Sequence, residues 1–237
     1  MLAFSLKECG MDPGFLVGGT ICNWPFNGER GNGDLFVTEV DESDGTHACT
    51  HSFIGVVPNV EDDHSWSVGG VEQLNQNFKS YARKAEHLIY MAGPTADQLF
   101  ADHPDAERLT EKRAVAEFQQ FFPESLQHSW GGYQKWNAVL ALKALLKLGI
   151  PQSEAVEALG RFPGVERRMT LRYESEQIRV IEDYAHHPTE LRAALQAIRE
   201  MNPFRRSVVI FQPHRYARLE RYFNEFAAVL KQGADLI

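Results

Sequence analysis

Residues 178–190 have the sequence IRVIEDYAHHPTE, and residues 208–218 have the sequence VVIFQPHRYAR. In each segment a short hydrophobic run, typical of a buried strand, is followed by a polar, charge-dense cluster and then by an amphipathic helical pattern. Open α/β sheets bind their ligands at the carboxyl ends of neighbouring strands. The two segments therefore predict an α/β fold in which both clusters lie at one ligand site.

Upstream of these segments, short apolar runs alternate with helical patterns. Strands are predicted at 15–17, 35–37, 53–57 and 88–91, and helices at 1–8, 71–84, 134–148 and 154–159. Gly10 is expected to end the first helix, and Ser153 to cap the last one. Residues 94–129 are polar, with a helical tendency and no clear motif.

A break at Phe162-Pro163-Gly164 divides the sequence into two predicted domains, 1–162 and 163–237. The second begins with a predicted hairpin of strands 170–173 and 178–181. The first helix has no capping residue before it, and residues 234–237 resemble the start of a strand. Both ends of the sequence are therefore expected to be cuts through a longer protein.

Charge and composition argue against several classes of protein. The net charge is −8, divided into −10 for residues 1–162 and +2 for residues 163–237. An acidic chain is a poor candidate for sequence-independent nucleic-acid binding. The basic second part either holds a small anionic ligand or is a solvated surface of uneven composition. No apolar run is long enough for a membrane span, and no secretion signal is evident. The three cysteines lack metal spacing, and their odd number argues against a disulfide framework, so a reducing cytoplasm is expected.

Several segments, taken in order, resemble the Mur ligase family. They are DPGFLVGG at 12–19, EVDESD at 39–44, NVEDDH at 59–64, GVERR at 164–168 and the two segments quoted first. The resemblance implies a central ATPase-type domain with a mainly parallel sheet at 1–162 and the first part of a C-terminal Rossmann-like α/β domain at 163–237. It also implies that a UDP-sugar domain and a phosphate loop lie outside this sequence, which contains no Gly-Lys-Ser or Gly-Lys-Thr.

The branch of the family that this sequence resembles implies a cytoplasmic, ATP-dependent ligase of peptidoglycan synthesis, and hence a role in cell shape and division. It would join L-alanine to UDP-N-acetylmuramate through an acyl phosphate, with ATP and Mg²⁺ as cofactors and no nucleic-acid or membrane partner. This fragment alone is expected to be inactive. A muramoyl-peptide ligase of cell-wall recycling, a metal-dependent phosphohydrolase and a non-catalytic nucleotide-binding module stay open as alternatives.

The resemblance implies that Glu39 and His64 are magnesium ligands. The carboxylates Asp41, Glu42 and Asp44 surround Glu39, and hard oxygen donors suit this ion. An acidic turn facing water and an ordinary loop histidine are the alternatives for Glu39 and His64. Asn137 is implied to frame the adenine, although Tyr133-Gln134 stands where the family usually has a His-Asn pair.

In the second domain the resemblance implies that Arg168 reaches the ATP phosphates and that Asp183 and Tyr184 contact the nucleotide. Arg168 could instead be a hinge arginine held by carboxylates. The implied catalytic residues are His186, His214, Arg215 and Arg218. His186 would face the muramoyl carboxylate or the incoming amine, and His214 could assist proton removal. The alternative is a helix start with solvated arginines.

Overall fold

The computed structural model describes residues 1–127 and 130–237, which form two compact units. The first comprises Met1–Gly18, Phe26–Phe122 and Trp136–Phe162, and the second comprises Gly19–Pro25, Pro123–Lys135 and Pro163–Ile237. The chain passes from the first unit to the second for the last time between Phe162 and Pro163. An antiparallel bridge between Ile21 and Val165 explains why the earlier segment Gly19–Pro25 belongs with the second unit.

Parallel strand pairs dominate the first unit. One sheet has the order β2–β1–β3, in which β1 (Gly14–Leu16) is antiparallel to β2 (Gly28–Glu29) and parallel to β3 (Phe36–Thr38). A second sheet is parallel throughout, with the order β4 (Ser52–Val57), β5 (Ala85–Met91) and β6 (Ala106–Leu109). The predicted α/β class is thereby confirmed.

The helices of the first unit are α1 (Leu2–Glu8), α2 (Ser65–Val68), α3 (Val71–Lys84), α4 (Pro94–Phe100), α5 (Glu111–Phe121) and α8 (Gln152–Gly160), with a 3₁₀ turn at Thr46–Cys49. Helix α3 has the predicted bounds, because Leu74, Phe78 and Ala82 recur at four-residue spacing and pack in the core against Leu88 and Tyr90 of β5. Gly10 ends α1 as expected, with a left-handed φ of 76°.

Two further helices lie wholly or partly in the second unit. Helix α6 (Glu124–Gln127) belongs to the second unit, and α7 (Gly132–Lys147) contributes its first turn to that unit and the rest to the first. The stretch 94–129 therefore contains α4, β6, α5 and α6, while residues 128 and 129 lie outside the described residues. The expectation that Ser153 caps α8 was wrong, because α8 begins at Gln152, two residues earlier than predicted, and Pro151 occupies the N-cap position.

The second unit combines a hairpin with helices that follow it in the chain. Strands β7 (Thr170–Glu174) and β8 (Arg179–Glu182) are antiparallel, as predicted. Helices α9 (Pro188–Met201), α10 (Tyr216–Arg221) and α11 (Phe223–Gly233) come next. Leu191 and Leu195 of α9 pack on Phe226 and Val229 of α11 to form the core of this unit.

Two strand predictions in the second unit were wrong. The strand at 178–181 was expected to be buried, but Val180 is 46% exposed because the hairpin pairs only with itself among the described residues. Residues 208–211 were expected to form a neighbouring strand, yet they make an isolated parallel bridge, Val208 to Leu236. A longer parallel ladder at 208–211 would need several paired residues, and among the described strands none includes the partner Leu236. No helix within the described ranges has the length and apolarity of a membrane span.

Candidate active-site residues

The acidic loop after β3 begins with Glu39, whose carboxylate accepts a hydrogen bond from the backbone N–H of Gly18 at 2.8 Å. A Cβ atom at Gly18 would lie 3.0 Å from this carboxylate, so the close approach favours glycine there. Glu39 is thus held at the end of the β1–β3 pair, where parallel strands present their carboxyl ends.

The next residues of this loop meet His64. Ligand atoms of Asp41, Glu42 and His64 all lie within 4.8 Å of one another. The Nδ1 atom of His64 lies 2.7 Å from Glu42 Oε1, and its Nε2 atom lies 3.6 Å from Asp63 Oδ2. Two carboxylates and an imidazole fit a divalent cation, with the carboxylates as the donors that Mg²⁺ prefers. Within residues 1–127 and 130–237, Glu39 is not part of this group.

Local hydrogen bonds fix the shape of the acidic loop. Asp41 Oδ1 accepts from the Ser43 N–H at 2.6 Å, and Asp44 Oδ1 accepts from the Thr46 N–H at 2.8 Å. In the 3₁₀ turn that follows the loop, His47 is buried against the ring of Phe78. Burial lowers the pKa of His47, although nearby carboxylates act in the opposite direction. This imidazole is therefore neutral at physiological pH.

In the second unit, Glu190 joins several predicted site residues. Its Oε2 accepts hydrogen bonds from the N–H groups of His186 at 2.9 Å and His187 at 3.3 Å, which completes a capping box at the start of α9. Its Oε1 lies 3.3 Å from Arg168 Nη1. Burial alone would raise the pKa of Glu190, but the His186 N–H and the charges of His186 and Arg168 lower it.

Asp183 is held by backbone amides. Its Oδ2 accepts from Met169 N–H at 2.9 Å and its Oδ1 accepts from Ala185 N–H at 2.8 Å. Burial raises the pKa of Asp183, and these two hydrogen bonds act against that shift. Burial, followed by the charge of Asp183, also raises the pKa of the nearby Tyr133, whose phenol therefore stays protonated.

Aromatic and cationic groups surround Tyr184. The guanidinium carbons of Arg167 and Arg168 lie 4.8 and 5.5 Å from the centre of its ring. The ring of His186 meets Tyr184 edge-on at 4.9 Å and lies 6.0 Å from the ring of His214. The two polar clusters of the second unit therefore come together, as the sequence predicted. Arg167 and Arg168 are each paired with a carboxylate, that of Glu182 at 3.1 Å and that of Glu190 at 3.3 Å, so the surface around Tyr184 combines aromatic rings with paired charges.

The two arginines of the second cluster differ in environment. Arg215 is exposed and precedes α10 with a left-handed backbone, at φ 67°. Arg218 lies one turn further along α10 and is only 7% exposed. The structure thus presents Arg215 to solvent and encloses Arg218 in the second unit.

Known proteins with similar sequences and structures agree on one family. Residues 167–237 match the Mur ligase glutamate ligase domain. A UDP-N-acetylmuramate–L-alanine ligase of Saccharopolyspora erythraea is 34% identical over 100% of this chain and 54% of its own length, and one of Desulfotalea psychrophila is 34% identical over 98% and 56%. The crystal structure of the UDP-N-acetylmuramate–alanine ligase of Thermotoga maritima has a TM-score of 0.77 and 26% identity, over 99% of this chain and 56% of the other.

The chain belongs to the Mur ligase family. It spans about half the length of the curated Mur ligases that it matches.

In this Mur ligase, the neighbours of some predicted site residues differ from those that the sequence suggested. Sequence reasoning placed Glu39 and His64 at one ion, whereas the structure gathers Asp41 and Glu42 around His64. Asn137 lies in the part of α7 that belongs to the first unit, and Tyr133 in the part that belongs to the second. The roles of these residues toward nucleotide and metal stay predictions.

The sequence reasoning missed the central place of Glu190 and the contribution of Arg167. Glu190 stands three residues after the N-cap His187, which is the spacing of a capping box, so the pattern of the sequence carried that signal. Arg167 gave no comparable signal, because a cation next to a ring distant in sequence shows only in three dimensions.

Proposed function

We propose that this Mur ligase chain is part of a cytoplasmic ATP-dependent ligase that joins L-alanine to UDP-N-acetylmuramate in peptidoglycan synthesis, and so serves cell growth and division. The observation that carries the proposal is that relatives named for this ligase align along practically the whole chain. The Tyr184 ring, with the guanidinium groups of Arg167 and Arg168 beside it, supports the proposal, because ATP combines polyphosphate charge with a flat base.

The proposed chemistry has two steps. A carboxylate resists attack by an amine because of its charge and resonance. Transfer of the γ-phosphoryl group of ATP to the muramoyl carboxylate gives an acyl phosphate and ADP. The amino group of alanine then attacks the acyl carbon, and inorganic phosphate leaves as the amide forms. Both steps gather negative charge, so cationic side chains and a metal ion are the expected means of stabilisation.

In the second unit we assign Arg168 to the phosphates, because a guanidinium can make two parallel hydrogen bonds to phosphate oxygens. Tyr184, together with Asp183, is proposed to lie against the nucleotide. His186 Nδ1 lies 3.0 Å from the Tyr184 carbonyl oxygen, which leaves Nε2 for the substrate carboxylate or the amine. His214 is proposed to accept the proton of the ammonium group, and Arg215 and Arg218 to attract anionic substrate groups.

In the first unit we assign Mg²⁺ to His64 with Asp41 and Glu42, whose ligand atoms lie within 4.8 Å of one another, while a role for Glu39 stays an expectation from the resemblance. When bound, the ion supplies charge neutralisation to the phosphates. Asn137 is proposed to contact the adenine through its amide.

The proposal is tested by titrating the chain with ATP in the presence of Mg²⁺ and comparing two variants. Arg168→Met should weaken ATP binding about tenfold, since charge-assisted hydrogen bonds contribute about 1.5–3 kcal/mol. Arg205→Met, an exposed arginine in the same unit, should change binding less than twofold. Equal effects of both changes would refute the assignment of Arg168.

A second measurement distinguishes a ligase from a metal-dependent phosphohydrolase. With ATP, Mg²⁺, UDP-N-acetylmuramate and L-alanine, the chain alone should release no phosphate. Hydrolysis of simple phosphate esters without any amine would instead favour a metal-dependent phosphohydrolase.

A further inference from the structure

The loop that carries Arg168 has an unusual backbone. Arg167 and Met169, the residues on either side of Arg168, both have left-handed conformations, with φ of 60° and 52°. Residues with a Cβ atom adopt this region rarely and at an energetic cost. Two such residues around one arginine need an external contact that holds them in place.

Asp183 provides that contact. Its Oδ2 accepts the Met169 N–H at 2.9 Å while its Oδ1 accepts the Ala185 N–H at 2.8 Å. One carboxylate therefore ties the Arg168 loop to the segment that carries Tyr184 and His186. Hydrogen bonds to an ionised acceptor are roughly twice as strong as those between neutral groups, so this contact is suited to holding a strained turn.

The side chain of Arg168 shows what the turn achieves. From this backbone it reaches Glu190 Oε1 at 3.3 Å and lies 5.5 Å from the centre of the Tyr184 ring. If Met169 relaxed to a negative φ, the orientation of Arg168 relative to the rest of the loop would change. The guanidinium of Arg168 would then lose its contacts with Glu190 and Tyr184.

We propose that Asp183 is a positioning residue that holds residues 167–169 in their left-handed turn and so directs the Arg168 guanidinium toward the ligand. The inference rests on the proposed nucleotide-binding role of Arg168. It is distinct from the direct contact with the nucleotide that the family resemblance gives to Asp183, because it acts through the two backbone N–H groups that the carboxylate accepts.

Hydrogen exchange in the ligand-free chain tests the structural part. In Asp183→Asn the side-chain amide presents only one acceptor oxygen, so exchange of the Met169 amide should accelerate by about tenfold or more. Asp235→Asn is the matched control, because Asp235 Oδ2 likewise accepts one backbone N–H, that of Ser207, at 2.8 Å. The one acceptor oxygen of asparagine still serves this single N–H, so Asp235→Asn should leave the exchange of both Ser207 and Met169 nearly unchanged. Unaltered protection of Met169 in Asp183→Asn would overturn the inference.

A rescue variant guards against a general loss of folding. Glycine adopts positive φ without strain, so Met169→Gly should remove most of the need for the Asp183 contact. In the Met169→Gly background, Asp183→Asn should therefore disturb the exchange of Arg168 and its neighbours much less than in the natural sequence. An equally large effect in both backgrounds would show that Asp183 does not act through this turn.

A double-mutant cycle on ATP binding tests the functional part. If Asp183 acts through Arg168, Asp183→Asn should weaken ATP binding about tenfold alone but less than twofold in the Arg168→Met background. Equal losses in both backgrounds would mean a direct contact and would refute the positioning role. If the natural chain bound no ATP, the proposed function would fail, while the exchange experiments would still decide whether Asp183 holds the turn.

Discussion

Replacing Glu190 by alanine should destabilise the second unit more than any single exposed carboxylate on the same helix. The change removes an N-terminal cap of α9, which typically contributes about 1 kcal/mol. It also leaves a partly buried backbone N–H without its acceptor, at a cost of about 1–3 kcal/mol. The pair with Arg168 adds only about 0.5 kcal/mol, because both side chains are more than one-third exposed to solvent. Together these effects predict a loss of about 2.5–4.5 kcal/mol in the free energy of unfolding.

Hydrogen exchange at the amides of α9, combined with urea unfolding, measures this loss in the second unit itself. Glu200→Ala is the matched control, since Glu200 lies on α9 and its hydrogen bond among the described residues is with the exposed side-chain amide of Gln196, at 2.8 Å. It should cost no more than about 0.5 kcal/mol. Glu190→Gln keeps one acceptor oxygen and should fall between the two. A Glu190→Ala variant as stable as Glu200→Ala would refute the reasoning.

Three further perturbations concern the first unit. Burial alone would raise the pKa of Glu117, but hydrogen bonds and charges from Lys143 and Arg113 lower this pKa below 4.5. The ionised Glu117 therefore stabilises the fold above pH 4.5, and this stabilisation is lost as the pH falls through the lowered pKa. Acid unfolding of Glu117→Gln should accordingly depend less steeply on pH. Gly14→Ala should cost about 1–3 kcal/mol in thermal or urea unfolding, because the new Cβ would lie 2.2 Å from the carbonyl oxygen of Arg30. Glu42→Gln should weaken Mn²⁺ binding, followed by electron paramagnetic resonance, about tenfold, because residues that orient a ligating imidazole affect metal affinity on that scale.

Each of these changes has a control in the same unit. Glu86→Gln, at an exposed carboxylate, should leave the acid-unfolding profile as it is, and a matching profile for Glu117→Gln would contradict the pKa argument. A Cβ atom at Gly93 would meet no other atom within 4 Å, so Gly93→Ala should be nearly neutral, and Gly14→Ala should not resemble it. Asp102→Asn, at another exposed site, should bind Mn²⁺ normally; an equal affinity for Glu42→Gln would remove Glu42 from the site.

The sequence predicted best those elements whose pattern is local. Helix α3 was placed with its observed ends because its apolar residues recur with helical spacing and face one core. The stretch 94–129 was harder, because β6 is only four residues long and is tied to α4 by Arg108 and Asp97, whose bidentate contact of 2.6 and 2.7 Å joins residues eleven apart. Such a contact leaves no periodic trace.

The candidate site shows the same division. The meeting of His186 and His214 was predicted, because each follows a hydrophobic run that was expected to be a strand of one sheet. The strands behind that prediction were only partly correct, since residues 208–211 form a single bridge. Which carboxylate faces His64, and which cations cover Tyr184, depend on side-chain directions in loops, and no spacing in the sequence encodes these.

The left-handed backbone at Arg215 sets stability against chemistry at one residue. Glycine would adopt φ 67° and ψ 124° more readily than arginine, so Arg215→Gly should make the second unit more robust. Selection for heat tolerance alone would then discard the exposed guanidinium. An engineer who wishes to harden this protein should therefore leave Arg215 alone and look for gains at positions far from the histidine cluster.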